Sequence, residues 1–268
     1  MEPRDKGGLI MDMHTLLLAA ASGGVVALLL TVFGGGGSVL AVPLLLYVVG
    51  VKDPHVAIGV SAAGVALNAL TALSGQARAG RVRWPCALTF AAFGATGAWL
   101  GSSLAKQIDG HQLLLVFAAA MAAVALAMFR RPKSDGSATV RLNPSMAPRV
   151  ALSGAGVGAA AGFFGIGGGF LIVPGLMGAT GMTLALAQAS SLVSVAAFGA
   201  STAVNYSLSG LVAWPLVAAM TVGGVAGALA GPPLSQRLGE NAALGRRLFA
   251  GLILLTAIYV AVRAISGL

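Results

Sequence analysis

The sequence predicts an all-α, polytopic membrane protein of two homologous repeats with about five helical segments each, inverted relative to one another and broken at glycine boxes. Three observations predict it. Of 268 residues, 57% are apolar and 9% charged, against about a quarter charged in a soluble domain. The charges fall between long apolar runs rather than inside them, and a landmark pattern that starts at Phe33 returns at Phe164. A mean hydropathy of +0.92 cannot be packed into one aqueous globule without leaving much apolar surface in water, so the lipid bilayer is the natural surrounding. The net charge of +9 would suit nucleic acid if the basic residues shared one polar face. They sit at segment ends instead, as topology signals do, and no nucleic-acid partner is expected.

The elements follow in order. Residues 1–14 read as a short tail with Glu2, Arg4, Asp5 and Lys6, and the apolar run behind it is too long for a cleaved signal core. The first repeat, 15–129, places segments at about 15–33, 37–50, 56–75, 84–104 and 111–129, all free of Asp, Glu, Lys and Arg. Most approach the roughly 20 residues that a helix needs to cross hydrocarbon. Residues 130–149 form a linker with five basic residues, three prolines and the turn Ser134-Asp-Gly-Ser137, a stretch with little to pack and a cytoplasmic charge signature. The second repeat, 150–268, carries no formal charge from Val150 to Gln236 and closes with Leu248–Val262 between Arg247 and Arg263, arginines able to snorkel. The one cysteine, Cys86, excludes an internal disulfide framework and a cysteine-built metal site.

The repeat is specific. Phe33-Gly-Gly-Gly-Gly-Ser-Val-Leu-Ala-Val-Pro43 aligns 131 residues later with Phe164-Gly-Ile-Gly-Gly-Gly-Phe-Leu-Ile-Val-Pro174. After one deleted residue, at an offset of 130, Ser61 meets Ser191, Gly80 meets Gly210, and Trp84-Pro85 meets Trp214-Pro215. Gly94, Gly97 and Gly101 meet Gly224, Gly227 and Gly231. Five crossings per half invert one repeat; four, with the glycine-joined pair counted as one span, keep them parallel. Positive charge divides the same way in both arrangements, so it leaves the number open while placing 130–149 in the cytoplasm in either.

The duplicated Phe-Gly-x-Gly-Gly-Gly-x-Leu-x-Val-Pro box, the stretch Ala77-Arg-Ala-Gly-Arg-Val-Arg-Trp84 and the stretch Tyr206-Ser-Leu-Ser-Gly-Leu-Val-Ala-Trp214 resemble the TauE/SafE family. These are sulfite and organosulfonate exporters, also called 4-toluene sulfonate uptake permeases. The resemblance runs from Leu16 to Ile265. It differs within the first box, where Gly35 stands against Ile166 and Ser38 against Gly169. It implies an inner-membrane, multi-pass transporter of small sulfur-containing anions, with members that vary in substrate and direction.

The residues themselves supply candidates for binding a small anion. Gly34, Gly36, Gly37 and Ser38 in the first box, and Gly165, Gly167, Gly168 and Gly169 in the second, interrupt sequence where helix is otherwise cheapest. Broken helices free backbone N–H groups, and a restarting helix turns its positive end toward the membrane middle; glycines that only permit a tight turn are the alternative. Ser61, Gly64, Asn68, Thr71 and Gly75 share one helical face, and their repeat mates are Ser191, Ser194, Phe198, Ser201 and Asn205. Pore lining and helix packing are equally open to these small polar residues. Gln188, one turn before Ser191, is costly in hydrocarbon without a partner or a task. Arg78, with Arg81 and Arg83, is either a topology anchor or an anion fork. The spaced glycines Gly94, Gly97, Gly101, Gly224, Gly227 and Gly231 read as close helix packing.

None of the seven acids lies inside an apolar run, and His14, His55 and His111 are all near segment ends. Cation or metal transport therefore lacks its intramembrane ligands, and intramembrane hydrolysis lacks a base. No enzyme activity, cofactor or metal is expected; the partners are a small anionic substrate and the bilayer.

Overall fold

A computed structural model describes residues 12–129, 136–137, 139–140, 142–165, 169–239 and 242–266. The described residues are helical, with no strand and a single isolated bridge, Ser137 with Met182. The first half contains α1 (Met13–Phe33), a 3-10 segment (Gly34–Leu40), α2 (Ala41–Tyr47), α3 (Pro54–Arg78), α4 (Trp84–Ala105) and α5 (Gly110–Phe129). The second contains α6 (Ala147–Phe164), α7 (Gly169–Thr180), α8 (Leu184–Leu208), α9 (Trp214–Gly239) and α10 (Ala242–Ser266). Among the described residues four stretches, Met13–Tyr47, Pro54–Arg78, Leu184–Leu208 and Trp214–Gly231, are long and apolar enough to cross a membrane.

Local chemistry sets these boundaries. Pro54, Pro85 and Pro148 stand in the first turns of α3, α4 and α6, where a missing N–H costs nothing. Asp53 caps α3 by accepting the His55 backbone N–H at 2.8 Å. The first box restarts as helix later than its glycines suggest: seven residues adopt 3-10 geometry before α2 begins. Four consecutive glycines give the α conformation little support.

At the box the chain turns back. Gly34 has φ 64° and ψ −149°, and Gly37 lies directly against the backbone of Leu29 and Leu30, so the 3-10 segment folds along α1. On the other side α7 returns along α6, with Ser153 Oγ donating to the Gly175 carbonyl at 3.3 Å. Gly34 and Gly165 thus stand at the tips of two helical hairpins.

The helices exchange partners between halves. α1 packs along α9, α4 along α6, α3 against α8, and α5 against α10. Glycines make the first two seams. Gly23 meets the Met220 backbone and Gly227 the Gly24 carbonyl; in the other seam Gly158 meets Gly94 and Gly162 meets Ala98. Both pairs run parallel, whereas α3 and α8 run antiparallel, Gly59 facing Leu211 while Gly199 faces Ala62 and Ala66. The packing expected of the spaced glycines therefore holds for Gly94, Gly97, Gly101, Gly227 and Gly231, while Gly224 instead leaves room for the Asn68 amide. Two three-helix bodies result, α1 with α3 and α9, and α4 with α6 and α8, meeting at the α3–α8 seam.

Part of the linker is held. The Ser137 N–H donates to the Gly181 carbonyl at 2.8 Å and the Thr183 N–H to the Ser137 carbonyl at 3.2 Å, while Val140, Leu142 and Met146 pack on the core. The linker therefore marks the face on which α8 begins. α3 begins on the opposite face, where His55 contacts the α4–α5 turn at Ile108.

Candidate functional site

The two hairpin tips dock on equivalent positions of the central pair. Gly34 leaves no space for a side chain against Gln188, its missing Cβ falling 2.6 Å from that residue's carbonyl oxygen. Gly165, at φ 64° and ψ 16°, presses on the Ile58 side chain. Gly34 and Gly165 are repeat mates, and so are Ile58 and Gln188. Each contact falls on the fifth residue of a central helix, roughly 6 Å from its start. Because α3 and α8 start on opposite faces, the tips are displaced toward opposite faces rather than level at the membrane middle.

Ser191 joins the first tip to α8. Its Oγ accepts the Gly35 backbone N–H at 2.9 Å and donates to the Gln188 carbonyl at 2.7 Å. Ser38 Oγ donates to the Gly35 carbonyl at 2.9 Å, so the box spends its own hydroxyl on its fold. Gly34, Gly36, Gly37 and Ser38 are all buried. Gly167 and Gly168 lie outside the described residues; Gly169 opens α7.

Between the tips the polar stripes divide. Ser61, Ser194 and Thr202 are completely buried, and their hydroxyls have no hydrogen-bond partner. Asn68 is equally buried, donates weakly to the Gly23 carbonyl at 3.4 Å, and leaves its Oδ1 unpartnered. In an apolar interior such groups cost about 1–3 kcal/mol each, a cost that a polar ligand or ordered water removes.

The remaining candidates lie elsewhere. Ser201 donates to the Ala95 carbonyl of α4 at 2.8 Å, and Thr71 back-bonds to Leu67 at 3.3 Å. Arg78 is exposed at the end of α3 on the linker face. Asn205 is taken up by α4: its Nδ2 donates to Ser102 Oγ at 2.6 Å, Ser103 Oγ at 2.8 Å and the Trp99 carbonyl at 3.1 Å. Lys106 completes that joint, donating to Asn205 Oδ1 at 2.8 Å, Ser209 Oγ at 2.9 Å and the Asn205 carbonyl at 3.2 Å. A cation on the last carbonyls of a helix also meets the negative end of its dipole. Sequence reading passed over Lys106, since a lone lysine at a segment end looks like any topology charge.

Comparison with known proteins finds membrane transporters. The family described as "Sulfite exporter TauE/SafE" matches the chain over residues 19–260. A "Probable membrane transporter protein" of Xylella fastidiosa strain Temecula1 is 45% identical over 235 residues, covering 86% of this chain and 89% of that protein. "Probable membrane transporter protein YdhB" of Bacillus subtilis strain 168 is 25% identical over 199 residues, covering 72% of this chain and 78% of that protein. No solved structure matches the chain.

Proposed function

The chain belongs to the TauE/SafE family, and from that premise we propose that it is a secondary transporter that exports small sulfur-containing anions, such as sulfite or organosulfonates, across the inner membrane. The family and its transporter-named relatives make it a multi-pass membrane transporter rather than an enzyme. The observation that carries the finer reading is the row of buried, unpartnered oxygens on the central pair, Ser61, Asn68, Ser194 and Thr202, between two hairpin tips. Hydroxyl and amide groups can turn donors toward an anion. Gln188 and Ser191 line the first tip.

The proposal has the bodies α1–α3–α9 and α4–α6–α8 rock about the α3–α8 seam, opening the interior to one face at a time. It places the linker in the cytoplasm and both termini on the other face, with the repeats inverted. Supporting this are the antiparallel course of α3 and α8 and the pairing of each hairpin with a helix of the opposite half. A reporter fused to the C-terminus and found active in the cytoplasm would overturn that orientation.

The deciding experiment is flux into liposomes of sulfite, sulfoacetate, taurine, sulfate and chloride. The expected result is saturable movement of sulfite or a sulfonate. Failure of all five with folded protein rejects the transport reading for this substrate class, and flux that follows voltage without saturation makes the protein a channel.

A further inference from the structure

We propose that Tyr206 and His55 form the gate that closes the α3–α8 seam on the face opposite the linker. The proposal rests on the transport reading insofar as the seam must open. Tyr206 belongs to the last turn of α8 and His55 to the first turn of α3, so they face one another across the junction of the two bodies. Their rings lie 6.4 Å apart between centroids at 32°. Tyr206 is completely buried and packs in one apolar cluster with Ile58, the seat of the second hairpin tip, and Phe164. Lys106 Nζ lies 5.9 Å from the centre of the Tyr206 ring, and its bonds to Asn205 and Ser209 hold that end of α8 to α4. The plug is therefore fixed to one body and meets His55 of the other.

Two polar atoms in this plug have no partner: the Tyr206 hydroxyl and His55 Nδ1. His55 Nε2 lies 3.1 Å from the Ile108 carbonyl, which can only accept, so that nitrogen donates. Two buried polar atoms without partners raise the free energy of the closed seam, and water entering on opening would satisfy both. The closed state is thus held by packing and opposed by its own polar groups, a balance that keeps two states close in energy. At the linker face the repeat mates of Tyr206 and His55 are Gln76 and Ala185, Ala185 is exposed and Gly75 has open space beside it. An aromatic plug thus occupies one end of the seam and not the other.

The experiment measures water access to Thr202, completely buried one helical turn inward from Tyr206. In a Cys86→Ala background, Thr202→Cys is reacted in liposomes with a water-soluble maleimide, a readout that needs no substrate. Tyr206→Phe removes the unpartnered hydroxyl and keeps the plug. It is expected to slow labelling about fivefold or more, the factor matching the lower end of the cost of such a group, and to raise the melting temperature. Tyr206→Ala, or His55→Ala from the other wall should the first not fold, is expected to speed labelling at least tenfold. Labelling unchanged by Tyr206→Phe and by whichever alanine variant folds overturns the gate. Absence of anion flux in the protein with Thr202 intact, alongside these labelling shifts, would reject the substrate assignment and leave the gate standing.

Discussion

The two hairpin tips occupy equivalent positions and are held by different means. At the first, backbone meets backbone: Gly34 abuts the Gln188 main chain, and Ser191 hydrogen-bonds the Gly35 N–H. At the second, Gly165 meets a flexible side chain, Ile58, and Ser61, the repeat mate of Ser191, keeps a buried hydroxyl without a partner. The tips therefore dock at matching positions of α3 and α8 while the contacts differ. A tip set against main chain and hydrogen-bonded to α8 has little freedom. One resting on a methyl group can move if that side chain changes rotamer. In the proposed cycle the second hairpin is the more mobile element.

The largest expected effect tests this difference. Gly34→Ala places a methyl on main chain that cannot yield, in a conformation essentially restricted to glycine, and should abolish folded protein or transport. Gly165→Ala puts alanine in the left-handed region, at about 1–2 kcal/mol, against a side chain that can be trimmed. Ile58→Ala should therefore restore part of the thermal stability lost in Gly165→Ala, and no substitution of the Gln188 side chain should rescue Gly34→Ala. Rescue of both, or of neither, would remove the distinction between the tips. Gly36→Ala, inside the buried 3-10 segment, should also impair transport while insertion persists.

These positions show what the sequence could and could not convey. Hydropathy placed the segments within two or three residues of most helix ends, and the Trp-Pro pairs located the starts of α4 and α9, because proline and charge act locally. The boxes were recognisable for the same reason, but sequence did not rank the glycines within them; among the described box residues the ones with positive φ are Gly34 and Gly165. Partner choice was invisible. Spaced glycines announce a close approach without naming the opposing helix, and nothing in one strand of text says that α1 lies on α9. The asparagines illustrate the same limit: Asn68 and Asn205 look alike in the two stripes, but only Asn205 reaches the end of α4 and Lys106.

A smaller effect separates the two mate serines. Ser191→Ala leaves the Gly35 N–H buried and unpaired, a loss of about 1–3 kcal/mol, and should lower both melting temperature and flux. Ser61→Ala deletes a hydroxyl that is already unpartnered, so stability should hold or rise while flux falls if that hydroxyl meets substrate. Equal destabilisation by the two would mean that the tips are held alike.

The asparagines come next. Asn205→Leu strips Lys106 of a partner and uncaps the α4–α8 joint, so its melting temperature should drop further than that of Asn68→Leu, which gives up one long hydrogen bond. Both are expected to reduce flux, Asn68→Leu by altering the polar row and Asn205→Leu by loosening the body that carries it. A larger stability loss in Asn68→Leu would contradict the assigned roles.

The smallest effect concerns the acids. Asp53 Oδ1 accepts from the His55 N–H and Asp109 Oδ1 from the His111 N–H, each at 2.8 Å, and both serve as exposed caps of first-half helices. The corresponding start of α8 has Thr183 with no side-chain cap bond, so α8 does without the device. Asparagine caps a helix about as well as aspartate, since one oxygen accepting one N–H is all the geometry requires. Asp53→Asn and Asp109→Asn should therefore change stability by no more than a few tenths of a kcal/mol and leave anion selectivity intact, whereas Asp53→Ala should cost about 1 kcal/mol by exposing the first turn of α3. Transport lost in the asparagine variants at unchanged melting temperature would show that a carboxylate takes part in the cycle, and the account of a polar row that works without one would have to be abandoned.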